Sequence, residues 1–86
     1  MSLAEIRKKI DCLDIEILEK LDERLALALK TKTFKPEISD RGREIRVLER
    51  VKEYARKLQF IDSDFAERVF TELIREGRRL QDEEER

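Results

Sequence analysis

The sequence has no histidine, which removes the commonest general base and the commonest metal ligand. Its single cysteine, Cys12, cannot form an internal disulfide, so a reducing compartment, the cytoplasm, is predicted. No apolar run approaches the roughly 18 residues of a membrane-spanning helix, and no segment has the pattern of a signal peptide. These absences predict a soluble cytoplasmic protein.

Charged residues make up 48% of the 86 residues, but 20 Lys and Arg stand against 21 Asp and Glu. This balance argues against a nucleic-acid-binding protein, which carries a basic excess, and against a cationic helix on a membrane surface. A chain of this length forms a single domain, here residues 1–86, and such a small domain is only marginally stable alone. Oligomerisation is therefore favoured.

Glycine and proline are scarce, at two and one residues, so little interrupts the helical patterns. Ser2 and Glu5 form a capping box before apolar residues that recur every three or four positions. Asp40 is a predicted N-cap of a second helix, and Asp62 or Ser63 of a third. The sequence predicts an all-α fold with helices over about 2–35, 41–58 and 63–82.

The first predicted helix is roughly 50 Å long, whereas the other two each reach only about 27–30 Å. They are too short to cover the apolar row of the first helix. A second chain is the simplest cover, so a homodimeric helical bundle is predicted, with its two long helices packed together. The row consists of Leu3, Ile6, Ile10, Leu13, Ile17, Leu21 and Ala28.

Four polar residues fall on the apolar faces of the predicted helices. At about 100° per residue, Arg24 and Lys35 lie within the apolar stripe of the first helix, and Glu44 lies near the centre of the second. Gln81 continues an apolar row of the third. A buried ion without a partner costs several kcal/mol. Because positive charge exceeds negative charge in this set, we expect a pocket for a small dianion.

Two further cations, Arg7 and Arg43, lie near the same faces. Arg7 and Arg24 are roughly 25 Å apart along one helix, so they cannot hold one small molecule from the same chain. In an antiparallel pair of helices, Arg7 of one chain can approach Arg24 of the other. The pocket is then shared between two identical chains, and dimerisation is required for function.

Each of these residues also has an ordinary structural interpretation. Arg7 can pair with Asp11 one turn later, and Arg24 can bridge to a carboxylate of a neighbouring helix. The others lie near predicted helix ends, where charged and amide side chains are usually solvated: Lys35, Arg43, Glu44 and Gln81. The single charge pattern that they form together favours the pocket.

In order and spacing, these residues resemble the all-α chorismate mutases, a family of small three-helix dimers. The resemblance covers about Leu3 to Gln81 and rests on the ordered set, because no single element is specific. The set is Ile6-Arg7, Ile10-Asp11-Cys12-Leu13-Asp14, Ile17-Leu18, Arg24, Phe34-Lys35, Asp40, Arg43-Glu44 and Leu73-Ile74 followed by Gln81.

The resemblance implies conversion of chorismate to prephenate in phenylalanine and tyrosine biosynthesis. It implies that Arg24 and the partner chain's Arg7 bind the two carboxylates of chorismate. Lys35 and Gln81 would donate hydrogen bonds to the ether oxygen, and Lys35 is the residue expected to matter most for catalysis. The reaction is an intramolecular rearrangement, so no metal and no cofactor are expected.

The resemblance assigns the ring hydroxyl of chorismate to Glu44 and the backbone at Asp40, and gives Arg43 a water-mediated contact with a carboxylate. The connection from Lys35 to Arg43 is shorter than is usual in the family, so Lys32 is the alternative lysine. Gly77 stands where relatives carry a small polar side chain that touches a carboxylate.

Two other functions remain open from the sequence. An isochorismate pyruvate-lyase on the same scaffold would need similar cations, although Glu44 and Gln81 fit the mutase better. A non-enzymatic helical dimerisation module would pair Arg24, Lys35 and Glu44 with each other and leave no cavity.

Overall fold

The computed structural model describes residues 1–34 and 40–84, and these residues form helices and the turns between them. Helix α1 spans Leu3–Lys30 and continues as a 3-10 turn at Thr31–Phe34; α2 spans Arg41–Ala55 and α3 spans Ser63–Glu84. The predicted all-α fold with a long first helix and two shorter ones is confirmed. Lys35, a predicted catalytic residue, lies outside the described residues.

Short polar side chains begin all three helices, as predicted. In each case the side-chain oxygen accepts a hydrogen bond from the backbone N–H three residues later, at 3.2 Å for Ser2, 3.0 Å for Asp40 and 2.8 Å for Asp62. These N–H groups have no carbonyl partner within their own helix, so the caps remove an unsatisfied donor. Asp62, rather than Ser63, supplies the cap of α3.

The first two helices end a few residues before their predicted ends. Regular α-helix stops at Lys30 in α1, and the 3-10 turn covers 31–34. In α2 it stops at Ala55, and residues 56–58 donate to carbonyls three positions back at 2.9–3.2 Å. Hydrogen bonds of the 3-10 type tighten the last turn, which periodicity alone does not indicate.

Helix α3 packs along α2 and, in its C-terminal half, against the end of α1. The ion pair between Lys52 and Glu67, at 2.7 Å, also joins α2 to α3. Buried hydrophobic residues are few and lie on these two helices: Val47, Ala55, Ala66 and Leu73. The single chain therefore has a small core that leaves most of α1 uncovered.

The apolar row of α1 is open in the single chain. No residue of α1 is buried, and Leu3, Ile10 and Ile17 are each at least half exposed. The chain exposes 7304 Å², whereas a compact protein of this mass exposes about 5,400 Å². None of the described helices has the length and apolar character needed to cross a membrane.

Candidate functional site

A cavity of about 500 Å³ lies where the end of α1, the start of α2 and the C-terminal half of α3 meet. Its floor is apolar and includes Val47 and Leu73. The structure brings six predicted site residues to this cavity: Arg24, Asp40, Arg43, Glu44, Gly77 and Gln81. Arg7 does not line it, which agrees with the expectation that Arg7 and Arg24 of one chain cannot bind the same small molecule.

The positive side of the cavity consists of Arg24, Arg43 and Arg50. The Arg24 guanidinium lies 5.4 Å from the ring centroid of Phe70, a favourable cation–π contact. Burial, together with the positive charges of Arg43 and Arg50, lowers the pKa of Arg24 from its usual value. Within the described residues, none of these three side chains forms an ion pair with a carboxylate. A bound anion would relieve their mutual repulsion.

Gln81 presents an amide to the cavity from the last turns of α3. Its residue is only 4% exposed, and its Nε2 donates to the Ala28 carbonyl oxygen at 2.9 Å. A primary amide has two N–H donors, so this bond orients the side chain and leaves one donor for a ligand. The Lys32 ammonium donates to the backbone carbonyl of Gln81 at 2.9 Å, which joins the 3-10 turn to α3.

Glu44 and Asp40 form the acidic edge of the cavity at the start of α2. The Glu44 side chain is 17% exposed and forms an ion pair with Arg78 of α3, at 3.4 Å between Oε2 and Nε. The Glu44 backbone N–H donates to the Asp40 carbonyl at 2.9 Å. The cap therefore fixes the Asp40 carboxylate, and the first helical hydrogen bond fixes the backbone from which the Glu44 side chain extends.

Three polar cavity residues were not predicted from the sequence: Thr31, Arg50 and Arg78. Arg50 could have been predicted, since it follows Arg43 by seven residues and so lies on the same helix face two turns later. Arg78 could not have been predicted, because its partner Glu44 belongs to another helix. Thr31 belongs to the last turn before the connection, where its hydroxyl donates to the Ala28 carbonyl at 2.7 Å.

The described lining has four guanidiniums against two carboxylates, an excess of two positive charges. It contains no Cys, Ser, His or Lys, and the Thr31 hydroxyl is already engaged with a backbone carbonyl. The described lining therefore offers guanidiniums, two carboxylates and the Gln81 amide as its functional groups. It can bind a small dianion, orient it and stabilise developing negative charge.

Comparison with curated proteins and with solved structures gives no significant match. A family model described as chorismate mutase type II matches residues 6–82, which is most of the 86-residue chain. The matched region contains every described residue that lines the cavity. The family acts on a dicarboxylate, which agrees with the positive charge of that lining. The chain belongs to the chorismate mutase type II family.

Proposed function

We propose that this chain is a chorismate mutase that converts chorismate to prephenate in phenylalanine and tyrosine biosynthesis, and that it acts as a cytoplasmic homodimer. One observation carries the proposal. The guanidiniums of Arg24, Arg43 and Arg50 line one cavity. None of the three forms an ion pair with a carboxylate of the described residues. A dicarboxylate substrate supplies the two negative charges that this arrangement lacks.

Arg24 binds one carboxylate of chorismate, and Arg7 of the partner subunit binds the other side of the same substrate. Gln81 and Lys35 donate to the ether oxygen. The support for Gln81 is its buried amide, which is held by Ala28 with one N–H left for the substrate. Negative charge grows on the ether oxygen as the carbon–oxygen bond breaks, so donors placed there stabilise the transition state.

Glu44 and the backbone at Asp40 hold the ring hydroxyl, and Arg43 assists a carboxylate through water. Glu44 is partly buried and its backbone is fixed by the first turn of α2. Together with the arginines, these contacts select the compact, chair-like conformer from which chorismate rearranges. Selecting that conformer removes an entropic part of the barrier. The reaction needs no covalent intermediate.

The apolar surface that a single chain leaves exposed supports the proposed dimer. Beside the charged cavity lies an apolar groove of about 290 Å³ between α2 and α3, which faces solvent in the single chain. The apolar row of α1 in a second chain would cover it, and an antiparallel pair of α1 helices would bring Arg7 towards Arg24. The excess of exposed surface, about 1,900 Å² per chain, is the size expected for an obligate interface.

A mixing experiment tests the reaction and the shared site together. We expect purified protein to remove the ultraviolet absorbance of chorismate and form prephenate, and Arg7→Ala and Arg24→Ala each to lose activity by at least about 10²-fold. Unfolding and refolding the two variants together should restore about a quarter of the wild-type rate. Half of the dimers are then mixed, and each mixed dimer has one intact site.

Arg56→Ala is the matched control, because Arg56 pairs with Glu53 on the exposed surface. It should retain full activity. No restoration on mixing would contradict the shared site. A folded dimer that leaves chorismate unchanged would contradict the mutase, and cleavage of isochorismate would then identify the lyase. If Arg24→Ala lost stability rather than activity, a dimerisation module would be supported.

A further inference from the structure

Asp14 is a carboxylate of α1 to which the proposed contacts with the substrate give no role. It is exposed in the single chain and forms no ion pair with any described residue. Three of its neighbours one turn away are apolar and the fourth is a second carboxylate: Ile10, Asp11, Ile17 and Leu18. At about 100° per residue, Asp14 lies at the edge of the apolar row of α1. Because that row is the surface proposed to contact a partner, Asp14 needs a cation from the other chain.

Arg50 of α2 is a cation in the complementary situation. It lines both the apolar groove and the charged cavity, and it forms no ion pair with a carboxylate of the described residues. Glu53, the carboxylate one turn later, pairs instead with Arg56 at 2.8 Å. Burial, and then the charges of Arg43 and Arg50, lower the pKa of Arg24, so Arg50 lies close enough to repel Arg24. A carboxylate beside Arg50 would reduce this repulsion.

The spacing of Arg7 and Asp14 brings these two charges together in the proposed dimer. Arg7 and Asp14 are seven residues apart, so they lie within about 20° on one face of α1 and roughly 10 Å apart along it. Arg7 of the partner subunit is proposed to reach Arg24, while the apolar row of the partner's α1 covers the groove. Since Arg50 lies at the boundary between that cavity and that groove, the partner's Asp14 passes beside it.

We propose that Asp14 of the partner subunit forms an ion pair with Arg50, and that this pair sets the register of the two antiparallel α1 helices. The inference rests on the homodimer of the proposed function. Charged pairs across an interface fix its register more than they raise its affinity. A slip of one helical turn would move the partner's Arg7 by about 5.4 Å, beyond hydrogen-bonding distance of a substrate held by Arg24. Two-fold symmetry forms the pair twice in each dimer.

Reversing the two charges in separate chains tests the pair, with assembly as the measurement. Asp14→Arg places two cations at each pair site of its homodimer, and Arg50→Asp places two anions there. By sedimentation, each variant alone should dimerise at least about 10²-fold more weakly than the wild type, because like charges then face each other across the interface. An equal mixture should dimerise within about tenfold of the wild type, because both pair sites of the mixed dimer again hold opposite charges. Helical circular dichroism gives the same comparison if the separate variants do not fold.

Asp11→Arg is the matched control, since Asp11 lies about 60° further from the apolar row than Asp14. It should dimerise as the wild type does and should not rescue Arg50→Asp in a mixture. If the wild type is a dimer and the mixture of Asp14→Arg with Arg50→Asp assembles no better than either variant, the ion pair is overturned. Rescue by Asp11→Arg instead would also overturn it. Because the readout is assembly, a dimer that leaves chorismate unchanged contradicts the mutase and not the pair, whereas a monomeric wild type contradicts the pair.

Discussion

The apolar groove between α2 and α3 and the charged cavity beside it have opposite chemistry. The groove at one end is lined by aliphatic and aromatic residues, including Val51, Phe65 and Val69. The cavity at the other end carries an excess of positive charge. Arg50 lines both. The same helix pair therefore presents an apolar surface suited to a helix and a charged surface suited to an anion, and the two surfaces meet at Arg50.

Under the proposed function, a different kind of partner completes each of these two surfaces. The apolar groove lacks a covering surface, and burial of apolar area against α1 of a partner would stabilise it by about 25 cal/mol per Å². Among the described residues, the lining of the charged cavity has two more positive than negative charges, which a bound dianion would balance. Because Arg50 lies at the boundary, covering the groove also removes water from one side of the anion site.

The largest expected effect comes from breaking the apolar end. Ile10→Asp places a charge in the middle of the exposed apolar row of α1, where an isolated ion costs several kcal/mol in a dimer interface. We expect a monomer by sedimentation and loss of nearly all activity, because the proposed site needs Arg7 of the partner subunit. Cys12→Asp is the control: Cys12 is exposed on the other side of the same helix. An active Ile10→Asp monomer would contradict the shared site.

The second largest effect is expected from a substitution that changes the charged cavity alone. Lys35→Ala should lower kcat by about 10²–10³-fold, the usual consequence of removing a donor to a developing oxyanion. Sedimentation and helical circular dichroism should not change, since the apolar groove is untouched. Lys20→Ala is a matched control, because that side chain is 81% exposed and pairs only with the nearby Glu23 in the structure. Full activity of Lys35→Ala would direct attention to Lys32.

The smallest effects are expected from substitutions at Gly77, which lines the charged cavity. Gly77→Ala should raise the unfolding free energy by about 1 kcal/mol, because alanine favours the helix and the new Cβ meets no neighbour. Gly77→Ser adds a hydroxyl that can donate to a substrate carboxylate, so its KM should be about threefold lower than that of Gly77→Ala. Thermal unfolding and saturation kinetics measure the two effects. A higher KM for the serine variant would place the carboxylate elsewhere.

Local signals in the sequence predicted much of the fold. Ser2, Asp40 and Asp62 mark the helix starts because capping involves residues only three positions apart. Helix ends were less predictable, since the 3-10 turns that close α1 and α2 depend on packing as well as on local sequence. The exposed row of α1 was predicted as a partner surface from helix lengths, a geometric argument that needs no side-chain detail.

Site residues were predictable where the residue pattern of a single helix face was enough to identify them. Arg24, Glu44 and Gln81 were recognised because each interrupts an apolar stripe, and the structure places all three at one cavity. The contact between Glu44 and Arg78 was not predictable, since it depends on how two helices pack against each other. The catalytic or binding roles of Arg24, Glu44 and Gln81 stay predictions. The same holds for the roles of Arg7 and Lys35, which the variants above test.

The absence of any buried residue in α1 of the single chain also has a kinetic consequence. A helix gains most of its stability from packing, and in the proposed dimer the packing surface for most of α1 belongs to the partner chain. Folding and assembly then become one second-order reaction, and refolding accelerates as the chains become more concentrated. For the same reason, the denaturation midpoint rises with protein concentration, so stability is a property of the pair rather than of the chain.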